Sequence, residues 1–470
     1  MARRKSYEQQ EIVDLEYQGN GIAKPEGRVL FVEGVLPGEV VDVRVTRRKK
    51  DFAFAVPTAF HETSPSRVEP FCEHFADCGG CTWQYLGYED QLAYKERFVG
   101  EVLERIGGIT EPAPLPIIGC ETDRYYRNKL EFSFSPMRWI TEGEIESGAD
   151  IPDRRALGFH VRGRFDRVLD VQTCFLQRDP SNAIRNEARR IAREHDYSFH
   201  DPAEHTGLLR GLIVRTTEGG EVMVILVIGE ERPEVAATLL GELMEAVPEI
   251  TSAHYIVNTT RNDDIGPHQA YHVAGTQVIH ERCGHLRFAI HPKSFYQTNS
   301  RQAERLYAVV RDWLDARETD TLLDLYCGIG SIGLFLADRV RRVVGVEYVA
   351  EAVDRARENA TLNGYSNAEF HAGDVREILS SVDRAGARLP RPDIVVLDPP
   401  RAGVHPDVIG ELRRLRPRQI VYVSCKPSTQ ARDLAMLAEE YDVTRVQPVD
   451  MFPQTFHIES VVDLRRKEGA

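Results

Sequence analysis

Cys425 lies between an apolar run, residues 419–424, and a helix-like run that begins at Pro427. The N-terminus of a helix and the neighbouring Lys426 both favour the thiolate form of this cysteine, and the thiolate is the nucleophilic form. A lone cysteine is more often a small, buried, apolar side chain. The position therefore predicts either a nucleophile or a core residue, and both interpretations stay open at this point.

A second group of cysteines has the spacing of a metal site. Cys72, Cys78 and Cys81 follow one another as Cys-x5-Cys-x2-Cys. Three thiolates so close in sequence favour either a structural zinc ion or an iron–sulfur cluster, and both need a fourth ligand. His74 lies between the other ligands, whereas Cys174 is a distant thiol. The spacing predicts a metal centre and leaves both the metal and the fourth ligand open.

A glycine-rich loop, residues 328–333, has the pattern Gly-x-Gly-x-x-Gly between an apolar run and a helix-like run. Such a loop approaches a ligand closely, and Glu347, at the end of the next apolar run, is placed to hold ribose hydroxyls. Alone, the pattern is weak evidence for dinucleotide binding. Asp324 before the glycines, with Asp374 and the Asp-Pro-Pro sequence at Asp398, resembles the Asp-x-x-x-Gly-x-Gly pattern of S-adenosylmethionine methyltransferases, and this resemblance implies S-adenosylmethionine instead. Helix capping or turn formation is the structural alternative for the first two aspartates.

Phe295, Gln297 and Asn299 lie just before a predicted helix that begins at Arg301. Asn299 with Gln302 fits a helix cap, and Phe295 fits a core aromatic residue. Neither interpretation explains Gln297, which therefore remains a candidate for ligand binding.

The elements that must position these residues predict a multidomain α/β protein. Short alternating strands and turn residues indicate a small antiparallel β-barrel in residues 1–58, and residues 59–275 mix helices and strands as an α+β domain. An acidic stretch at 141–155 is expected to be a loop. Regular strand–helix alternation in residues 276–470 predicts a doubly wound, Rossmann-like parallel sheet. Its strand candidates are residues 321–326, 343–347, 394–398 and 419–424.

Composition excludes several classes of protein. The chain has 470 residues, a formal net charge of −14 and 42% apolar residues, which is typical of globular proteins and not of disordered ones. The longest apolar-rich run, residues 322–337, is interrupted by Asp324 and three glycines, so no membrane span is expected. No secretory signal is recognised, and a cytoplasmic location is expected. An acidic chain that binds nucleic acid needs a local basic surface.

Taken in order, the motifs resemble those of the RNA 5-methyluridine (uracil-C5) methyltransferases, and in particular their iron–sulfur-containing ribosomal RNA branch. The resemblance covers nearly the whole chain and includes an N-terminal TRAM-like, RNA-binding barrel and the cysteine set. The remaining motifs are Tyr126-Arg-Asn-Lys129, Phe295-x-Gln297-x-Asn299, Asp324-Leu-Tyr-Cys-Gly328, Leu397-Asp-Pro-Pro-Arg401, Val423-Ser-Cys-Lys-Pro427 and Pro453-Gln-Thr-x-His-x-Glu459.

The resemblance implies a role for each matched position. Cys425 matches the nucleophile and Glu459 the general base. Ser331 stands where the family often has Asn. The positions that match cofactor-binding residues are Gln297, Tyr326, Ser331, Glu347, Asp374 and Asp398. The positions that match ligands of a 4Fe-4S cluster are Cys72, Cys78, Cys81 and Cys174. The expected RNA contacts are Arg127, Lys129 and Phe295.

The implied chemistry explains these residue types. Carbon 5 of uracil is a weak nucleophile, so a thiolate from Cys425 first adds at carbon 6 and activates the ring. After methyl transfer, Glu459 removes the proton on carbon 5 so that the thiolate can leave. Because a stacked base cannot present both faces, the uridine is expected to flip into the site.

The expected function is therefore S-adenosylmethionine-dependent methylation of carbon 5 of a uridine, in 23S ribosomal RNA. This RNA is favoured because tRNA enzymes of the class typically lack the iron–sulfur cysteines and the barrel. The alternatives are the same chemistry on tRNA, and a non-enzymatic iron–sulfur RNA-binding protein, which would leave Cys425 and Glu459 without a purpose. Arg401 after the two prolines disfavours an amino-group methyltransferase, and the absence of a Pro-Cys pair at Asp398 disfavours a cytosine-C5 enzyme. Neither a membrane nor an obligate protein partner is expected. The iron–sulfur cluster is expected to have a mainly structural role.

Overall fold

A computed structural model describes residues 5–382 and 389–469 of the chain. Within these ranges the strands form four sheets, of six, seven, two and seven strands. No helix in the same ranges has both the length and the apolar composition needed to cross a membrane.

The N-terminal sheet has the strand order β1-β5-β6-β4-β3-β2. Its strands are β1 (Ser6–Glu11), β2 (Asp14–Leu15), β3 (Gly21–Ala23), β4 (Val29–Val32), β5 (Val40–Arg48) and β6 (Phe52–Glu62). The alternating residues Val41 and Val43 of β5 point into the core, as the pattern predicts. One pair differs from the predicted antiparallel arrangement. Strands β4 and β6 run parallel, because the β5–β6 hairpin returns β6 beside β4.

The central sheet has the order β13-β12-β11-β10-β7-β8-β9. The elements of this region are α1 (Tyr88–Gly107), β7 (Lys129–Ser135), α2 (Glu142–Glu146), β8 (Ala156–His160), β9 (Val168–Asp170), α3 (Ser181–Glu194), β10 (Leu209–Thr216), β11 (Val222–Ile228), α4 (Pro233–Ala246), β12 (Ser252–Val257) and β13 (Ala270–Gly275). The acidic stretch expected to be a loop contains α2. Thr141 and Glu144 form a capping box there, which satisfies the amides that begin the helix.

The catalytic sheet has the order β18-β17-β16-β19-β20-β22-β21. After a hairpin of β14 (Ile279–Cys283) and β15 (Leu286–Ile290), its elements are α5 (Ser300–Trp313), β16 (Thr321–Leu325), α6 (Ser331–Phe335), β17 (Arg342–Glu347), α7 (Ala350–Leu362), β18 (Ala368–Ala372), α8 (Val375–Ser381), β19 (Ile394–Leu397), α9 (Pro406–Leu415), β20 (Gln419–Ser424), α10 (Pro427–Leu437), β21 (Tyr441–Val449) and β22 (Glu459–Arg466). Strands β16 to β20 are parallel, as predicted. The last two strands add an antiparallel edge, with β22 between β20 and β21.

Helix α1 packs against the catalytic sheet although it precedes most of the central elements in the chain. Val99 and Leu103 belong to the same apolar core as Leu323 of β16 and Leu434 of α10. On the other face of that sheet, Ile225 of the central strand β11 belongs to the same apolar core as residues of α5. The catalytic sheet is therefore covered from both sides.

Candidate active site

Five of the predicted site residues lie at the same edge of the catalytic sheet. Glu347 ends β17, Tyr326 and Asp398 directly follow β16 and β19, and Asp374 lies two residues beyond β18. Cys425 directly follows β20. Because β16 to β20 are parallel, their carboxyl ends share one edge, and that edge is where ligands of open α/β sheets bind.

Two carboxylates hold the glycine loop in place. Asp324 is buried in β16, and its Oδ2 accepts a hydrogen bond from the Gly333 amide at 2.8 Å. Glu347 Oε2 accepts one from the Gly328 amide at 3.1 Å. Gly330 has a φ of 82°, and a Cβ there would approach the Phe370 ring at 2.9 Å, so only glycine fits. Burial raises the pKa of Asp324 to about 8.

The other predicted cofactor positions differ in how their side chains are engaged. Asp374 caps α8, where it accepts from the Arg376 amide at 2.8 Å, and the hydrogen bond from the Arg376 guanidinium lowers its pKa to about 2. The capping interpretation of Asp374 is thus confirmed. Gln297 is 8% exposed, and its side-chain amide has no hydrogen-bond partner in the described part of the chain. Ser331 begins α6 directly after the glycine turn.

Cys425 and Glu459 are brought together by the pairing of β20 with β22. Ser424 lies opposite Ser460 in this antiparallel pair, so the next residues along the two strands are Cys425 and Glu459. Cys425 is half-buried and Glu459 is buried. A thiol and a carboxyl group therefore lie side by side at the edge that carries the glycine loop.

Burial raises the pKa values of the acidic groups at this site. The pKa of Cys425 is raised to about 11, first by burial and then by the charges of Glu459 and Asp398. Burial also raises the pKa of Asp398 to about 7 and that of Glu459 well above its usual range. Arg401 opposes these shifts at both Cys425 and Glu459. The sequence-based expectation that the helix N-terminus and Lys426 favour the thiolate is opposed here by burial and by two neighbouring carboxyl groups.

The predicted RNA contacts lie in three different environments. Phe295 is 69% exposed, which excludes the interpretation as a core aromatic. The Arg127 guanidinium lies 5.6 Å from the centroid of the Phe452 ring. Lys129 forms an ion pair with Glu131, and burial lowers its pKa. Lys129 must therefore leave Glu131 to reach a phosphate.

The four predicted cluster ligands, Cys72, Cys78, Cys81 and Cys174, line one cavity. The Gly80 amide lies 3.4 Å from the Cys78 sulfur, and burial raises the pKa of all four thiols. His74 lines the same cavity, and its Nε2 accepts a hydrogen bond from the Gln172 amide at 3.0 Å. In residues 5–382 and 389–469, no group of three or more His, Cys, Asp or Glu side chains is arranged to hold a metal ion.

The loop between β21 and β22, residues 450–458, is held by the segments around it. The Thr82 and Trp83 amides both donate to the Gln454 carbonyl, at 2.8 and 3.1 Å. Lys95 of α1 donates to Asp450 at 2.7 Å, and both side chains are buried. Residues 82–83, which follow Cys81, and α1 thereby fix the loop that leads into Glu459.

Three further residues, Arg401, His457 and Tyr17, lie near this site, and none of them is among the predicted catalytic, cofactor-binding or RNA-binding residues. Arg401 Nη2 lies 3.4 Å from His457 Nδ1, and the His457 ring packs on Phe456 at a centroid distance of 4.3 Å. Burial lowers the pKa of His457 to about 4. Tyr17, from the N-terminal sheet, is near enough for the charges of Arg401, Cys425 and Glu459 to act on its hydroxyl. Arg401 and His457 lie within motifs of the family resemblance, so the sequence contains a signal that could have identified them. Tyr17 lies in none of those motifs.

Two family models match the chain. The model of the tRNA (uracil-5-)-methyltransferases matches residues 255–467, which include every predicted catalytic and cofactor-binding position. The TRAM domain model matches residues 11–58, within the N-terminal sheet.

Relatives extend the match over nearly the whole chain. A protein described as an uncharacterized RNA methyltransferase from Bacteroides thetaiotaomicron is 45% identical over 95% of this chain and 98% of its own length, and one from Porphyromonas gingivalis is 43% identical over 97% and 99%. The crystal structure of Pyrococcus abyssi tRNA (uracil-54, C5)-methyltransferase in complex with S-adenosyl-L-homocysteine is similar at a TM-score of 0.74 and 28% identity, over 97% of this chain and 100% of that one. The chain belongs to the S-adenosylmethionine-dependent RNA uracil-C5 methyltransferase family.

Proposed function

We propose that the protein methylates carbon 5 of a uridine in 23S ribosomal RNA through a covalent intermediate on Cys425, with Glu459 as the general base. The observation that carries this proposal is the pairing of β20 with β22, which sets Cys425 beside Glu459. A nucleophile that adds at carbon 6 and a base that acts at carbon 5 must reach adjacent atoms of one ring. Neighbouring positions on paired strands meet that requirement.

The residues of the site divide the chemistry between them. Cys425 loses its proton to solvent, its sulfur bonds to carbon 6, and the electrons of the carbon 5–carbon 6 double bond move toward the ring carbonyl. S-adenosylmethionine supplies the methyl group that carbon 5 takes up, and S-adenosylhomocysteine is the leaving product. Glu459 then removes the proton from carbon 5, the double bond re-forms, and the bond between sulfur and carbon 6 breaks. The positive charge of Arg401 favours the ionised forms of Cys425 and Glu459, which both steps need.

The edge formed by β16 to β19 fits S-adenosylmethionine. The proposed contacts are Gln297, Tyr326, Ser331, Glu347, Asp374 and Asp398. Gln297 supports this assignment because its amide is unpartnered, and the glycine loop supports it because Gly328 leaves the backbone open to a ligand. A carboxylate such as Glu347, at the end of β17, is suited to accept hydrogen bonds from ribose hydroxyls.

The cysteine cavity fits an iron–sulfur cluster better than a single ion. Four thiols are the usual ligand set of a 4Fe-4S cluster, and each binds a different iron atom, so the sulfurs need not converge on one point. A zinc ion needs four donors at about 2.3 Å from one centre. All four thiols line that cavity, yet among the described residues no group of side chains is arranged around a single metal ion. We therefore assign Cys72, Cys78, Cys81 and Cys174 to a 4Fe-4S cluster with a mainly structural role.

Three residues are proposed to contact the RNA. Phe295 supplies an exposed ring for stacking on a base, and Arg127 and Lys129 supply cations for phosphates. Transfer RNA is the second candidate substrate, because the solved Pyrococcus abyssi relative acts on tRNA and covers 97% of this chain. That extent of similarity weakens the view that the barrel alone marks a ribosomal RNA enzyme.

The proposal is tested by transfer of a tritiated methyl group from S-adenosylmethionine to unmodified total RNA. The protein is purified without oxygen, the labelled nucleotide is mapped by mass spectrometry, and Cys425→Ala is the control. Label in 5-methyluridine of 23S ribosomal RNA, absent from the control, supports the proposal. Label in tRNA keeps the chemistry and replaces the substrate, and no Cys425-dependent label contradicts both.

A further inference from the structure

A turn of the N-terminal sheet, residues 16–20, is rigid and carries Tyr17. Glu16 Oε1 accepts hydrogen bonds from the Asn20 amide and from its side chain, and Glu16 Oε2 accepts from the Gln18 amide at 2.9 Å. The Gly19 amide donates to the Glu16 carbonyl at 2.8 Å. The turn is thus held by its own hydrogen bonds, and Tyr17 projects from a fixed backbone.

This turn is packed tightly against residues 83–85, which follow Cys81 in the chain. Gly19 has a φ of 89°, and a Cβ there would lie 1.9 Å from Trp83 Nε1. Tyr85 donates a hydrogen bond to the Gly19 carbonyl at 3.3 Å. Because Trp83 also binds the Gln454 carbonyl, the turn and the loop before Glu459 rest on one support.

The Tyr17 ring is clamped between two other rings. It stacks on Phe98 of α1 at a centroid distance of 4.3 Å and meets Phe456 at 5.3 Å and an interplanar angle of 72°. Both geometries are favourable for aromatic pairs. The ring is therefore fixed on its faces, and only the hydroxyl is left to make a new contact.

The Tyr17 ring lies beside the candidate site. Phe456, which it contacts, packs on His457, and His457 contacts Arg401. The Tyr17 hydroxyl is within electrostatic range of Arg401, Cys425 and Glu459, and it has no hydrogen-bond partner among the residues that the structure describes. Burial raises its pKa to about 12, so the hydroxyl keeps its proton at neutral pH and can donate a hydrogen bond. A hydroxyl on a fixed ring at the edge of the site, without a protein partner, is placed to donate to a substrate.

We infer that the Tyr17 hydroxyl donates a hydrogen bond to the nucleotide that enters the site of Cys425 and Glu459, so that the N-terminal domain completes the active site. This inference rests on the proposed function and goes further, because it makes the TRAM domain part of the substrate pocket as well as of the RNA-binding surface. Tyr17→Phe removes this donor alone and keeps both ring contacts.

The test uses 5-fluorouridine-substituted transcripts of 23S ribosomal RNA and, in parallel, of tRNA. Fluorine replaces the proton that Glu459 removes, so the methylated adduct on Cys425 persists and is counted on denaturing gels. We expect Tyr17→Phe to lower the kcat/KM of adduct formation about threefold to tenfold, through a higher KM for RNA, which is the range for one lost hydrogen bond. The KM for S-adenosylmethionine and the melting temperature should not change.

Tyr94→Phe is the matched control. Tyr94 lies on α1, and the charges that act on its hydroxyl are those of Arg97, Asp14 and Asp90. None of these residues belongs to the site. It should behave as the wild type. Equal kinetics for Tyr17→Phe and the wild type on an RNA that forms the adduct would overturn the inference alone. If the wild-type protein forms no adduct at Cys425 with either RNA, the proposed function fails and the inference falls with it.

Discussion

Cys425 lies among more acidic than basic side chains. Burial is the largest cause that raises the pKa of its thiol, Glu459 at the start of β22 and Asp398 after β19 raise it further, and Arg401 lowers it. The sequence places a helix N-terminus and Lys426 beside Cys425, but the acidic neighbours come from other strands. A local motif could thus predict Cys425 as a candidate nucleophile, whereas the upward shift of its pKa follows only from the tertiary structure.

Alkylation of Cys425 by iodoacetamide should be slow at pH 8 and rise about tenfold per pH unit through pH 9.5, because the thiolate forms only near a pKa of about 11. The rate is measured by mass spectrometry of the peptide that contains Cys425. Asp398→Asn removes one of the negative charges and should increase the rate at pH 8. A rate that is already constant above pH 7.5 would mean that Cys425 is a thiolate.

Glu459→Gln should allow carbon 6 addition and methyl transfer but block removal of the carbon 5 proton. An RNA–protein adduct should therefore accumulate and survive denaturing electrophoresis, while release of methylated RNA falls by at least about 100-fold, the usual contribution of a general base. Glu459→Gln combined with Cys425→Ala is the control and should form no adduct. Full turnover by the single variant would remove Glu459 from the role of base.

At the scale of elements, the loop of residues 450–458 depends on α1 for its position. Lys95 and Asp450 form a buried ion pair, and Tyr88 donates a second hydrogen bond to Asp450 at 2.9 Å. These partners are separated by more than 300 residues in the chain, so no sequence pattern predicts the contact. Hydrophobic periodicity predicts β16, β17, β19 and β20, and the spacing of glycines predicts the loop. Strand β18 is not predicted, and β21 and β22 do not stand out because the predicted alternation with helices ends at α10.

Lys95→Met should destabilise the protein by about 3 to 5 kcal/mol, because it leaves the Asp450 carboxylate buried without its cation. The free energy of unfolding is measured by urea titration. Lys467→Met is the control. Lys467 forms an exposed ion pair with Asp442, and its loss should cost less than about 1 kcal/mol. Equal losses for the two variants would show that the buried pair does not anchor the loop.

At the scale of the whole molecule, the cysteine cavity joins distant parts of the chain. Cys81 precedes the Trp83 segment that supports the loop before Glu459, and Cys174 follows β9 of the central sheet. The spacing of the first three cysteines is readable from the sequence. The meeting of Cys174 with them is a tertiary contact, and it follows only from the resemblance or the structure.

Cys174→Ser should yield protein without the brown colour of an iron–sulfur cluster and with a lower melting temperature, because a structural cluster contributes binding free energy to folding. Iron content, the visible spectrum and thermal unfolding are measured on protein purified without oxygen. Cys283→Ser, a buried cysteine outside this cavity, is the control and should keep the colour. Loss of colour with an unchanged melting temperature would contradict a structural role.

The position of β22 has a consequence for the order in which the protein assembles during synthesis. It follows β21 in the chain but lies between β20 and β21 in the sheet, so the sheet cannot close until this strand is made and inserted. Glu459 is its first residue. Insertion of β22 between β20 and β21 is therefore the step that brings Glu459 beside Cys425, and the candidate site is incomplete until the last strand of the chain has taken its place.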